Sequence, residues 1–421
     1  MASDDLKLRE RRPPPGIGGT LRRVLHVAVS GLLALILSPA NSPEAEGTGL
    51  RHRIETASVL REFNTHGAHV RRVRLAEDHV AFELIGQDSS LVLVYEVGGQ
   101  IRFRHGAPND DEPGLAGFEV SSDASTIVIT EQMESRSWGK RVLDADASVL
   151  FELSIRAELI PSLNGEYFYT LHNHATDPPF EVYRRNGQRV RVFNWPSQDW
   201  NCRFLDNQHL VVADPDSAQL IDCSTGNVMR STPLEFRPYG APPGIVVSRE
   251  DSVIVIYSLN SMLLLSYSGD FLWREHFDHY LRGVSIDRGT SWLALQFEIP
   301  DASAGYFKIV SLRDLTSRFT SGSIPALSKC VSRPFEIGWF SSGVITVWGP
   351  PRGPFGFLRS DEEYWTLFLE FDAENGSVGE PVRLPGLYRA TESSTPDRRY
   401  LHITSNDAVS LLSIGIPKGH E

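Results

Sequence analysis

The stretch YSLNSMLLLSYSGDFLWREHF, residues 257–277, decides the fold. Two apolar, strand-like runs are interrupted by Ser-Gly-Asp, a turn that runs straight into Trp273. Gly, Asn and Asp supply the positive φ angles of tight hairpins, so the stretch predicts antiparallel strands joined at Gly269. The same turn recurs along the chain as YEVGGQIRF (95–103), LDADASVLF (143–151), YRRNGQRVRVF (183–193), IDCSTGNVM (221–229), VSLRDLTSRF (310–319) and FDAENGSVGEPV (371–382).

Between these copies lies a second kind of turn, polar and followed by a continuous apolar run. Its copies are LAEDHVAFEL (75–84), VSSDASTIVIT (120–130), PSLNGEYFYTL (161–171), FLDNQHLVVA (204–213), VSREDSVIVIY (247–257), SIDRGTSWLAL (285–295), WFSSGVITVW (339–348) and STPDRRYLHIT (394–404). These eight copies recur at intervals of roughly 40 to 53 residues, the period of a four-stranded blade. Runs such as SVIVIYS are apolar at consecutive positions, as expected of a strand covered on both faces. Period, strand count and double-sided burial predict an all-β fold, a single β-propeller of four-stranded antiparallel blades. The last unit stops one strand short, and ETASVLREF (55–63) is a spare strand at the start. Eight blades are therefore expected, with the ring closed by the N-terminal strand so that no edge is left open. Seven blades with flanking strands is the alternative.

Within these turns SSDAS, SLNGE and TPDRR resemble the serine–aspartate–glycine turn of WD-like and surface-layer-type propellers. Asp222-x-x-Thr225-Gly226 and Gly269-x-x-x-Trp273 resemble the tryptophan-docking repeat of quinoprotein-like propellers, although Arg230 stands where the first copy would carry tryptophan. Quinoprotein dehydrogenases carry adjacent cysteines near their cofactor; no two cysteines are adjacent here, and no cofactor is expected. SIDRGTSW (285–292) fits the Asp-box spacing of sialidases, a structural turn that here occupies an ordinary hairpin slot.

Composition bounds the remaining possibilities. The chain has 421 residues, is 41% hydrophobic and carries a formal charge of −12 without a long basic run. Binding to nucleic acid rests on neutralising phosphates with Lys and Arg, so no nucleic-acid partner is expected. Residues 1–40 join a basic flank to the apolar run Val24–Ser38 and a small-residue stretch with Ser38-x-Ala40. They read as a signal peptide or an uncleaved N-terminal membrane anchor, with a buried helix as a further alternative. Residues 41–54 read as a linker, 55–416 as the propeller and 417–421 as a C-terminal tail. Cys202 and Cys223 fall on the first and third strands of one unit, near 10 Å apart by strand spacing, too far for a disulfide. Both, with Cys330, are expected to be free thiols.

Functional side chains are expected on the face that gathers the long second–third loops and the links between blades. Those segments offer Trp138, Trp195, Trp200, Tyr239, Phe355 and Phe357 as binding candidates, with Asp110, Asp111 and Glu112 nearby in the chain. Large, stiff aromatics suit protein or glycan contacts, and the prolines of GPPRGPFGF lower the entropy cost of presenting Phe355 and Phe357. His172 and His174 form an H-x-H pair, and His276 and His279 lie in HFDHY, but no other ligand stands at a metal-binding spacing, so no metal is expected. No G-x-S-x-G elbow or phosphate loop occurs, and no catalytic residue is assigned. The expectation is an exported, non-catalytic monomer, periplasmic or secreted, that touches a membrane only through its N-terminus. The alternatives are a propeller hydrolase or lyase with a metal at the central channel, or a subunit of an envelope assembly.

Overall fold

A computed structural model describes the strands between residues 58 and 413 and many of the turns joining them. Residues 1–57, 109–114, 133–137, 172–179, 194–199, 237–241, 288–290, 300–303, 324–335, 350–364, 391–399 and 414–421, with some shorter stretches, lie outside the described residues. The N-terminal segment and linker of the sequence analysis fall among these. All the described strands belong to one contact unit, residues 49–421.

The strands form eight antiparallel sheets. In chain order they are blade 1 (69–108), blade 2 (115–153), blade 3 (158–193), blade 4 (201–233), blade 5 (244–276), blade 6 (280–320), blade 7 (336–385) and blade 8 (387–413). The N-terminal strand Ser58–Asn64 supplies the fourth strand of blade 8, pairing Ser58 with Ser413 and Asn64 with Ala408. In blade 7 the fourth place is shared by Ser377–Val378 and Val382–Pro385, both paired with Trp365–Asp372. The propeller read from the turns, including its closure by an N-terminal strand, is the observed architecture.

Blade 5 shows why consecutive apolar residues are needed. Ile254, Ile256, Leu263 and Leu265 pack towards blade 4, against Val211, Ala213 and Leu220. Val253, Val255, Met262 and Leu264 pack towards blade 6, against Leu281, Leu293 and Leu295. Strand side chains alternate between faces, and here each face meets a neighbouring blade. Each such side chain contributes about 1.5–3 kcal/mol by leaving water, so the core is spread over the seams between blades.

The first turns share a hydrogen-bond pattern. Ser121 Oγ donates to Asp123 Oδ1 (2.7 Å) and accepts from the Thr126 amide (3.0 Å). Ser162 repeats this with Asn164 (3.1 Å) and the Tyr167 amide (3.1 Å). Ser248 pairs likewise with Asp251 (2.7 Å). Blade 4 lacks the serine; Asp206 Oδ1 there accepts from the amides of Gln208 and His209, both at 2.7 Å.

In blades 1 to 6 the ladder between third and fourth strands slips by one residue just after the second turn. The consequence is visible in blade 2, where Val149 pairs with Leu143 but Phe151 pairs with Val142. Two residues that would share a face in a regular strand are thereby sent to opposite faces. Val149, Val228 and Phe271 are left exposed at the rim. The residue two places further on turns to the next blade: Phe151 packs on Gly187, Arg191 on Gly226 and Arg230 on Gly269. Trp273 enters the core shared with Leu315 of blade 6. Each of these positions lies four residues after a positive-φ residue: Ala147, Gly187, Gly226 and Gly269. Arg230 thus takes the docking place with its aliphatic stem, while its guanidinium meets Asp270 at 2.7 Å. The bulges also break the outer edges that would otherwise invite strand pairing between molecules.

Candidate functional site

The long-loop face is described best where blade 5 hands over to blade 6. The long loops expected there give way at blades 4 and 5 to tight second–third turns at 214–216 and 259–260. Asp214 Oδ1 closes the first by accepting from the amides of Asp216 (2.8 Å) and Ser217 (2.7 Å). The link after blade 5 lies down on the second, through bonds from the Phe277 amide to Asn260 O (2.8 Å) and from the Leu281 amide to Leu259 O (2.5 Å).

This link carries an aromatic and charged patch. Phe277 meets Phe297 edge-on at 4.9 Å, and Phe297 stacks on Tyr306 at 4.8 Å. Lys308 Nζ sits 5.8 Å above the Phe277 ring and 2.5 Å from Glu275 Oε1. Tyr280, at 40% exposure, lies under the Arg282 guanidinium at 5.4 Å, and Arg282 is also paired with Glu298. His279 and His276 do not converge on a common point: His279 Nδ1 bonds Tyr306 Oη (3.1 Å), and His276 Nδ1 bonds Ser261 Oγ (2.8 Å). Among the described residues no group of three or more His, Cys, Asp or Glu is placed to hold a metal ion.

Of the aromatic candidates, Trp138 opens the third strand of blade 2, half-buried and paired with Gln132. Trp200 ends the link into blade 4 and packs edge-on against Phe180 at 5.3 Å, within the core between blades 3 and 4. Trp195, Tyr239, Phe355 and Phe357 lie outside the described residues, as do Asp110–Glu112, His172, His174 and Cys330. Tyr280, Arg282 and Tyr306 were not singled out from sequence. For Tyr280 and Arg282 the signal available was the segment HFDHYLRG (276–283), which places an aromatic and a cation two residues apart in a link between blades.

Cys202 and Cys223 are free and buried in the seam between blades 3 and 4. Burial pushes the Cys202 thiol far above its usual range, and burial with the charges of Asp222 and Asp206 pushes Cys223 up to about 12. Tyr169 Oη crosses the same seam to donate to Cys202 O (3.1 Å), and burial raises its pKa as well. At the seam of blades 1 and 2, Glu131 is held by His105 (3.0 Å) and Arg141 (2.5 Å), and Arg141 continues to Glu152 (2.7 Å). Glu131 thus joins His105 of blade 1 to an ion pair within blade 2.

The opposite, tight-turn face is laced from blade to blade. The Asp123 amide reaches Leu163 O (3.2 Å), the Asn164 amide reaches Asn207 Oδ1 (3.1 Å), and Arg249 Nε reaches Leu205 O (3.2 Å). A cleft of about 490 Å³ opens in this face between the turns of blades 3 and 4.

No family model matches the sequence, and no curated protein matches it. Among solved structures, the chain is similar to a eukaryotic initiation factor, with 12% identity over 84% of this chain and 87% of that one and a TM-score of 0.52. The fold is a β-propeller. Similarity extends to the WD40 domain of SCAP from fission yeast, with 9% identity, coverage of 85% and 98%, and a TM-score of 0.48. Hsv2 of Kluyvelomyces marxianus is similar at 12% identity, with coverage of 75% and 98% and a TM-score of 0.46. At 12% identity the likeness to the initiation factor is one of fold alone.

Proposed function

We propose that this chain is an exported, non-catalytic propeller that binds a protein or glycan partner through its long-loop face. The observation that carries the proposal is the patch between blades 5 and 6. There the half-exposed Tyr280 lies under Arg282, beside the paired His279 and Tyr306. Tyrosine and arginine on a rigid support are the side chains that most often dominate binding energies. The neighbouring charges are matched in pairs, which suits contact more than proton transfer. Propellers built of WD-like blades commonly bind proteins, which agrees with this role. The basic and apolar N-terminal residues support export. The repeated docking of a fourth-strand side chain on the next blade's turn favours the quinoprotein-like branch of the resemblance.

The test is retention of ligands by immobilised protein, offered a glycan array and the soluble proteins of the export compartment. Wild type should retain a partner, and a Tyr280→Ala/Arg282→Ala variant should lose about tenfold or more in affinity with an unchanged melting midpoint. Equal retention by both proteins would overturn the proposal.

A further inference from the structure

The cleft on the tight-turn face offers a binding site independent of the long-loop patch. Its position has a structural cause. At the seam of blades 2 and 3 the space is filled: Ser125 Oγ donates to Asn164 O (3.1 Å), and Arg185 reaches Ser125 O (3.3 Å). At the seam of blades 4 and 5, Arg249 crosses to Leu205 O. Between blades 3 and 4 the turns meet through the Asn164 amide and Asn207 Oδ1, and about 490 Å³ stays open. Small-molecule sites occupy about 300–1,000 Å³.

The lining includes Glu166 and Tyr167 from blade 3 and Asp206, Asn207, Gln208 and His209 from blade 4. Both carboxylates already have partners. Asp206 Oδ1 accepts the amides of Gln208 and His209, and Oδ2 lies 2.7 Å from His209 Nδ1. Burial works to raise the Asp206 pKa, but the bonds from His209 and the amides outweigh it and hold the group below the usual carboxylate range. Glu166 faces Arg185 at 3.5 Å. The cleft therefore does not present the bare negative charge that would select a cation. A carboxylate accepts only, so His209 Nδ1 donates to Asp206. The amides of Asn207 and Gln208 bring donors, and Tyr167 brings an aromatic ring half-buried on the core of blades 3 and 4.

From this balance we propose that the cleft binds a neutral polyhydroxylated ligand, a mono- or disaccharide. Hydroxyls that both donate and accept match a mixed, charge-compensated lining, and the C–H face of a sugar ring matches an aromatic wall. The walls are pre-formed, because the turns are pinned by bonds from the Leu205 amide to His209 O (2.9 Å) and from the Cys223 amide to Gln208 O (2.7 Å).

The experiment is saturation-transfer NMR with isothermal titration on the full chain. The probes are glucose, galactose, mannose, N-acetylglucosamine, lactose and cellobiose, with methylguanidinium as the cationic competitor. At least one saccharide should bind saturably, and Gln208→Ala should weaken it several-fold to about tenfold, while Tyr167→Phe, which keeps the stacking ring, should bind it nearly as wild type does. Gln208 is exposed and Tyr167→Phe keeps the ring, so both variants should retain the wild-type melting midpoint. The Tyr280→Ala/Arg282→Ala variant should bind the saccharide as wild type does, which separates this site from the long-loop patch. Absence of binding up to about 10 mM, unchanged binding in Gln208→Ala, or tighter binding of methylguanidinium would each overturn the inference.

Discussion

Replacing Gly187 with alanine tests the contact by which each blade grips the next. Gly187 holds φ at +79°, and an added Cβ would stand 2.8 Å from both Cβ and Cγ of Phe151 in blade 2. Phe151 cannot retreat, because its ring packs edge-on against Phe168 of blade 3 at 5.4 Å. Ordinary contact begins at 3.4 Å, so more than half an ångström of overlap must be absorbed by packed atoms. The left-handed backbone costs alanine about 1–2 kcal/mol, and overpacking of this kind about 1–3 kcal/mol. The expected loss is therefore about 2–5 kcal/mol, read as a lower urea midpoint at constant m-value. Gly322 has no heavy atom within 4 Å of its added Cβ, and Gly322→Ala should stay within about 0.5 kcal/mol of wild type. Combining Gly187→Ala with Phe151→Ala removes Cγ and the ring that fixes Cβ in place, so the remaining Cβ contact can relax and mainly the backbone strain is left. The pair should then cost about 1–3 kcal/mol less than the sum of the single changes. If Gly187→Ala matched Gly322→Ala, or if the pair were additive, the docking contact would not exist.

Three further outcomes are expected. Cys202 and Cys223 should resist a thiol reagent in the native protein, so that at most one of the three cysteines reacts before unfolding; fast labelling of two would contradict the closed seam between blades 3 and 4. Tyr169→Phe removes the bond to Cys202 O without opening a cavity and should cost about 1 kcal/mol in a thermal melt, whereas a neutral result would mean the bond contributes nothing. Burial acts to raise the pKa values of Asp206 and Asp222, yet hydrogen bonds to both carboxylates prevail and hold them below their ordinary range. Their contribution is thus present above about pH 4 and lost as pH falls through the lower native values. Asp206→Asn and Asp222→Asn should flatten the acid limb of the stability curve, and an unchanged limb would remove these groups from the account.

The turns made the fold legible. Gly187, Gly226 and Gly269 sit at positive φ, a conformation that few residues other than glycine adopt readily, so the hairpins showed in the sequence. The spare N-terminal strand was legible by counting strands against turns. The docking position of Arg230 showed only through the tryptophan-docking spacing after Gly226; that an arginine stem fills it did not, because a bulge decides which face the fourth-strand residue takes. Trp200 shows the same limit: its packing on Phe180 depends on where the link enters blade 4. The cleft between blades 3 and 4 left no trace in the sequence, because it depends on how the turns of two separate blades meet. Tyr280 gains its place over the blade 5–6 seam from a link pinned to the 259–260 turn, a contact between separate hairpins.

Closure of the ring is tested most directly by joining its two ends. Glu62 and Ser410 are register partners across the N-terminal strand and the last strand of blade 8. In a Cys330→Ser background, the pair Glu62→Cys and Ser410→Cys should oxidise within one chain. The product should run faster on a non-reducing gel and melt at a higher temperature than its reduced form. Cross-links found only between chains, or none at all, would mean that residues 58–64 do not complete the eighth blade.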